Sequence, residues 1–238
     1  MRAKSDRVKP SRLEQQAAFF HTFGALKVPG LFAKDIDLIV EGFEEMFRDY
    51  PSEKVNPQFS LHRPISDEYD TPRYQITKEF IERTPKLAWL RDDSRVTDLA
   101  RALLGDRYRY DGSAGNLFNS YIHWHSDYFR SEITPEMHIK LAFYLDDLDA
   151  NSGALRVMPG TTHAGPFRSA LYDESRDREF GEMQRTFGLS EEQLPCWAIA
   201  VHPGDLVVFD DSILHANFNG GARRRMFSLQ FTQVPSTE

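Results

Sequence analysis

The sequence predicts a β-rich α+β fold, a sandwich or barrel of short strands preceded by helices, on three observations. Apolar residues recur at helical spacing in the segments before Gly105. After Gly105 the pattern changes to short runs that alternate apolar and polar residues, the signature of half-buried strands. Pro159-Gly160 and Pro203-Gly204 place tight reversals beside two of those runs.

In the first predicted helix, Ser11 and Glu14 match a capping box, Leu13, Ala17 and Phe20 follow at helical spacing, and Gly24 suits the stop. An extended stretch, 25–32, leads to a second helix. There Ile36, Ile39, Val40, Phe43, Phe47 and Tyr50 form one stripe, the opposite face is acidic, and Pro51 ends the pattern. Residues 51–75 hold four prolines and no sustained period, so they are expected to form a long lid-like loop. A third helix is predicted from a Ser94 cap through Val96, Leu99, Ala100 and Leu103 to Gly105. Strands are expected over 121–127, 139–145, 154–158, 206–209 and 225–234. Residues 164–195, charged and only weakly helical, read as an insertion over one mouth of the barrel.

At 238 residues the chain fits one domain, 1–238, with residues 1–10 expected to be flexible. A hydrophobic fraction of 40% beside 27% charged residues suits a globular core and excludes collagen-like or wholly disordered chains. Lys and Arg number 29 against 36 Asp and Glu, a net charge of −7, so the broad basic field of a non-specific nucleic-acid binder is missing. No run approaches the roughly 18–20 apolar residues of a membrane span. The single cysteine, Cys196, cannot form an internal disulfide, and the first residues have no signal-peptide core, so a cytoplasmic location is expected.

The segment Tyr121-Ile122-His123-Trp124-His125-Ser126-Asp127 carries the chemistry. Alternate residues on a strand share a face, so His125 and Asp127 can aim an imidazole nitrogen and a carboxylate oxygen at one point. A third ligand from a distant strand would complete the triad of two histidines and one carboxylate that leaves open positions on a non-haem iron, and His215 is the candidate. Each part alone has a plainer reading. An isolated His-x-Asp occurs by chance, a lone histidine is usually an ordinary loop or core residue, and Arg223-Arg224-Arg225 could be a solvated patch. Asp146-Asp147 and Asp210-Asp211 read most simply as strand-end turns. The order of the parts, their strand context and the arginines after the second histidine together fit one chemistry better than any part does.

With these residues in view, the chain resembles the phytanoyl-CoA dioxygenase (PhyH-like) family of iron(II)- and 2-oxoglutarate-dependent oxygenases. The likeness runs from about Gln16 to Val234. It is carried by GALKVPGLF, LARALLG, HWHSDYF, FYLDDLDANSGALRVMPGTTHAG, HPGDLVVFDDSILHANFN and RRRMFSLQF. Thr161-Thr162 stands where the family usually has a single Ser, and the interval from His215 to the arginines is short. The resemblance implies a double-stranded β-helix, a cupin-like jelly roll, whose major sheet packs on the N-terminal helices. It implies that His125, Asp127 and His215 are the iron ligands, with Fe(II), 2-oxoglutarate and O2 as cofactor and co-substrates. It places the 2-oxoglutarate arginine at Arg224, with Arg225 the competitor. Strand alternation separates the two, since Arg225 shares the parity of Phe227, Leu229 and Phe231 whereas Arg224 lies with Met226, Ser228 and Gln230. A planar guanidinium suits a bidentate grip on a carboxylate. Asn119, Tyr121, Lys140 and Asn217 are the polar groups expected near the co-substrate or the rim, with Asn119 and Asn217 taken as co-substrate contacts. His123 is open between packing, ligation and substrate contact. His138 shares the face of Lys140, Trp124 is expected in the core, and His163 in a structural turn.

The implied activity is oxidation, most simply hydroxylation, of an unactivated C–H bond in a small-molecule metabolite or natural-product intermediate. Halogenation is disfavoured, because related halogenases replace with a small residue the carboxylate that Asp127 keeps here. Arg63, Arg73, Tyr74, Phe129, Arg130, Phe167, Arg168 and Tyr172 mix arginines with aromatics near the expected mouth, which suits an anionic substrate with a hydrocarbon or ring portion. Two other classes compete: a cupin-type metalloenzyme that does not use 2-oxoglutarate, and a non-catalytic jelly-roll binding module.

Overall fold

The computed structural model describes residues 10–55, 73–117, 122–128, 135–163, 188–219 and 224–235. Helix α1 (Arg12–Phe23) begins at Ser11, whose hydroxyl accepts the Glu14 N–H while the Glu14 carboxylate accepts the Ser11 N–H at 2.6 Å. It ends at Gly24, in the left-handed region at φ 76°. Strand β1 (Ala25–Val28) follows, then α2 (Ile36–Asp49), which buries Ile39, Gly42, Phe43 and Met46. The expected loop 51–75 is bounded by two strands, β2 (Glu53–Val55) and β3 (Arg73–Ile76), which pair with each other. The prolines at 57, 64 and 72 lie outside the described residues, as does most of the expected lid. After a short α3 (Pro85–Ala88) and a 3-10 turn (Trp89–Asp92) comes α4 (Ser94–Leu104). Its cap is Asp93 rather than Ser94: the Asp93 carboxylate accepts the Arg95 N–H and also pairs with the Arg95 guanidinium, which a serine one residue later cannot do.

The strands that follow are β4 (Tyr108–Leu117), β5 (Ile122–His125), β6 (His138–Tyr144), β7 (Leu155–Val157), β8 (Trp197–Ile199), β9 (Leu206–Asp210), β10 (His215–Asn217) and β11 (Arg225–Gln233). They form a seven-stranded sheet in the order β1-β9-β6-β11-β4-β3-β2 and a four-stranded sheet in the order β5-β10-β7-β8, with every pairing antiparallel. This two-sheet jelly roll is the fold that the resemblance implies. No helix among the described residues is long and apolar enough to cross a membrane.

The helices cover the outer face of the major sheet. Ile139, Leu141 and Phe143 of β6, Leu206 and Val208 of β9, and Phe227, Leu229 and Phe231 of β11 meet Phe20, Phe43, Phe80 and Leu99 there. Burial of each such side chain contributes about 1.5–3 kcal/mol. Phe143 and Phe227 stack at 4.6 Å between centroids. Gly115 of β4 is required by this packing, because a Cβ at that position would lie 2.2 Å from the Phe80 ring. A second bulk of apolar side chains, including Ala142, Tyr144, Leu155, Val157 and Val207, fills one end of the space between the sheets.

Candidate metal centre

The cross-strand register brings the two ends of the sequence motif together. His215 opens β10 directly opposite His125 of β5, with ring centroids 4.2 Å apart. Asp127 follows β5, and the backbone N–H groups of Asp127 and Tyr128 both donate to the Asp211 carbonyl, at 3.0 and 3.1 Å. Ser126 ties the same turns from its side chain, donating to the Ser212 carbonyl at 2.8 Å. One donor atom from each of His125, Asp127 and His215 lies within 4.8 Å of the other two. Their separations are 3.5 Å from His125 Nε2 to Asp127 Oδ1 and 3.3 Å from His215 Nε2 to Asp127 Oδ2.

The surroundings fix how these groups point. His215 Nδ1 lies 2.9 Å from the Ile213 carbonyl, which holds the proton on Nδ1 and leaves the Nε2 lone pair facing Asp127. Thr161 braces the same turn: its hydroxyl accepts the Leu214 N–H at 2.9 Å and donates to the Met158 carbonyl. The Pro159–Thr161 turn, legible in the sequence only as punctuation, therefore positions the residue next to His215.

Burial and charge set the protonation states. Burial pushes the Asp127 carboxyl up, but His215, His125 and Lys140 around it outweigh burial and hold it well below the usual carboxylate range. Burial lowers the His215 imidazole, as does His125 beside it, and Asp127 does not cancel them, so His215 is biased to the neutral form that binds metals. Lys140, on the inner face of β6, pairs with Asp127 Oδ2 and lies 3.7 Å from Asp211 Oδ1. Burial opposes its charge, yet Asp211 and Asp127 raise it and keep it an ammonium. Asp211 itself is pushed up to about 6 by burial, with Asp127 adding to the rise against Lys140. Sequence reading took Asp210-Asp211 for a plain turn. Asp210 does close one, accepting the Ser212 N–H and hydroxyl, but Asp211 faces the centre.

The two arginines divide as strand alternation requires. Arg225, on the helix side, donates to Asp146 at 2.6 Å and to Glu44 of α2 at 2.7 Å, so its guanidinium is fully engaged. Arg224 is 5% exposed and points between the sheets. Its guanidinium lies 5.1 Å from the Tyr144 ring centroid and reaches the Tyr144 hydroxyl only at 3.4 Å, and its buried Nε has no hydrogen-bond partner among the described residues. A buried guanidinium with an orphaned donor has the chemistry to pair with a carboxylate.

The remaining candidates separate. Asn217 is buried in β10, where its amide donates to the Gly153 carbonyl at 3.4 Å. Asn119 and Tyr121 lie outside the described residues, as do Arg63, Phe129, Arg130, Phe167, Arg168 and Tyr172. Trp124 turns away from the centre to pack with Phe218 and donate to the Glu191 carbonyl, the core role expected of it. His138 contacts the Thr232 hydroxyl and the Tyr128 ring at the mouth, and His163 contacts Thr162 in an exposed turn.

Two imidazole nitrogens, one carboxylate oxygen and a buried guanidinium whose Nε has no partner among the described residues fit a non-haem iron and a keto-acid dicarboxylate. Among solved structures the chain is similar to the non-haem α-ketoglutarate-dependent epimerase SnoN from nogalamycin biosynthesis, with TM-score 0.66 and 15% identity over 93% of this chain and 83% of that one. It is similar to HygX from Streptomyces hygroscopicus with nickel, 2-oxoglutarate and hygromycin B bound, with TM-score 0.65 and 14% identity over 96% and 90%. It is also similar to EctD from S. alaskensis in its apoform, with TM-score 0.62 and 20% identity over 97% and 80%. These likenesses show the fold. No curated protein sequence matches the chain. The sequence model of the phytanoyl-CoA dioxygenase family matches residues 20–226, so the chain belongs to the phytanoyl-CoA dioxygenase (PhyH) family and is an iron(II)- and 2-oxoglutarate-dependent oxygenase.

Proposed function

We propose that His125, Asp127 and His215 hold the iron, that Arg224 holds the distal carboxylate of 2-oxoglutarate, and that the enzyme oxidises an unactivated C–H bond of a small anionic metabolite or natural-product intermediate. The observation that carries this reading is the convergence of three ligand atoms within 4.8 Å between the same two sheets as a buried guanidinium whose Nε has no partner among the described residues. When bound, the iron couples oxidative decarboxylation of 2-oxoglutarate to hydrogen removal from the substrate. The chain's part is orientation and exclusion of water. The Ile213 carbonyl fixes the His215 tautomer, Asp127 stays ionised, and Arg224, beside Tyr144, offers the co-substrate a charge-assisted pair. Asn119 and Asn217 are assigned as weaker co-substrate contacts. Asp127 favours hydroxylation over halogenation by filling the position that a halide would take. A single cysteine, Cys196, supports a reducing compartment, the cytoplasm.

The test is an anaerobic titration of the metal-free protein with iron(II) and then 2-oxoglutarate, followed by visible absorption. A charge-transfer band on adding the keto acid is expected. Folded, iron-loaded protein that gives no band would overturn the assignment of this site as the place where 2-oxoglutarate meets the iron. The anionic substrate class rests on the sequence pattern that mixes arginines with aromatics, Arg130 and Arg168 foremost. Arg130→Ala together with Arg168→Ala is expected to raise KM about tenfold with little change in kcat, the signature of lost uniform binding. An unchanged KM would remove the anionic assignment and leave the chemistry standing.

A further inference from the structure

We propose that Lys140 is a positioning residue for the metal centre: its ammonium lies between Asp127 and Asp211, and a cation held by the triad would shift it toward Asp211. The inference rests on the assignment of Asp127 as a ligand. Three observations carry it. Lys140 projects from the inner face of β6, only 17% of its side chain is exposed, and its Nζ is within ion-pairing distance of two carboxylates on adjoining turns. Those turns cannot drift apart, because the Asp211 carbonyl accepts the N–H groups of both Asp127 and Tyr128 and the Asp211 N–H donates to the His138 carbonyl. The third observation is an asymmetry. Nζ is bonded to Asp127 Oδ2, whereas Asp211 Oδ1 is buried, has no hydrogen-bond partner among the described residues and lies 3.7 Å from Nζ, just beyond bonding reach.

A buried carboxylate oxygen without a donor is costly unless some state of the protein satisfies it. Here the donor is already beside it. Moving Nζ by about an ångström, well within the freedom of a four-carbon stem, would bring it to the ~2.8 Å of a charge-assisted hydrogen bond. A divalent cation between His125, Asp127 and His215 supplies the reason to move, since it takes over the charge of Asp127 and repels the ammonium. Lys140 thus supplies positive charge to Asp127, and Asp211 is where the ammonium would go. The exchange conserves charge and breaks no covalent bond.

The experiment measures nickel(II) affinity by calorimetry on the full-length metal-free protein, with thermal midpoints read beside it. Asp211→Asn, nearly isosteric, is expected to weaken nickel binding about tenfold or more, because Lys140 then has no carboxylate to receive it, without lowering the midpoint of the metal-free protein. Lys140→Met is expected to lower that midpoint and to enlarge the rise that nickel produces, with affinity not weakened. In the Asp211→Asn background, Lys140→Met is expected to restore affinity to within about threefold of wild type. A merely structural pair would not give that reversal. Asp211→Asn binding nickel like wild type, or Lys140→Met losing affinity tenfold, would overturn the transfer. A wild type that binds no nickel would instead overturn the ligand assignment and this inference with it.

Discussion

Arg224→Met is expected to raise the 2-oxoglutarate concentration for half-maximal succinate release by about a hundredfold, whereas Arg225→Met leaves it unchanged. The first figure follows from removing the charged partner of a buried carboxylate, worth roughly 1.5–3 kcal/mol for charge-assisted hydrogen bonds, a factor of about 10–150. Arg224 can supply those bonds because its Nε is buried without a partner among the described residues and its hydrogen bond to the Tyr144 hydroxyl is long, at 3.4 Å. Arg225 cannot, since Asp146 and Glu44 already occupy its guanidinium. Its loss is therefore a stability effect. The Asp146 contact is two-pronged and three-quarters buried, so about 1–2 kcal/mol is expected, while the more exposed Glu44 arm adds little. Succinate release against 2-oxoglutarate concentration, with a thermal melt of each variant, separates the two roles. The reverse pattern, co-substrate dependence in Arg225→Met and not in Arg224→Met, would exchange the assignments.

That contrast also shows what a sequence can carry. The parity of β11 depends only on neighbours two residues apart, so the separation of Arg224 from Arg225 was legible, as were the Ser11–Glu14 box and the one-faced spacing of His125 and Asp127. The whole of β4 was not. Its Gly115 exists because Phe80, thirty-odd residues away, fills the place of a side chain, and its Gly112 lies at φ 131° where β4 shifts register against β11. Glycines demanded by distant partners read locally as turns. The same holds for Asp211, whose importance lies in Lys140 and Asp127 across the sheets, and for Tyr144, which meets Arg224 only because β6 and β11 are paired. Patterns within one strand could be read from the chain; the pairing of strands, and therefore the charges around the triad, needed the fold.

Asp127→Ala is expected to weaken iron(II) loading by well over a hundredfold and to abolish 2-oxoglutarate turnover. Changes merely adjacent to metal ligands already cost about 10–100-fold, and this one removes the only anionic group among the three proposed ligands. The protein should nevertheless fold, because the ammonium released from Asp127 has Asp211 at 3.7 Å. The dependence of wild-type loading on pH follows from the same electrostatics. Metal competes with the proton on His215, and burial has lowered that imidazole below 6.5, so affinity should be level above pH 6.5 and fall as pH drops through the folded value. Stability of the metal-free protein carries the same sign at His215: the unfolded chain binds the proton more readily, so this contribution is present above 6.5 and is lost as pH falls. Asp211 acts in the opposite direction. Its folded carboxyl, pushed up to about 6, holds a proton that the unfolded chain releases near 3.8, so its contribution is lost as pH rises between those values. Below pH 6 the two partly cancel in wild type, and in Asp211→Asn the acid-side decline from His215 should stand alone and be steeper. Denaturant melts of the metal-free proteins between pH 4.5 and 7.5 measure this, and identical profiles for the two would mean that Asp211 is not held protonated by its burial.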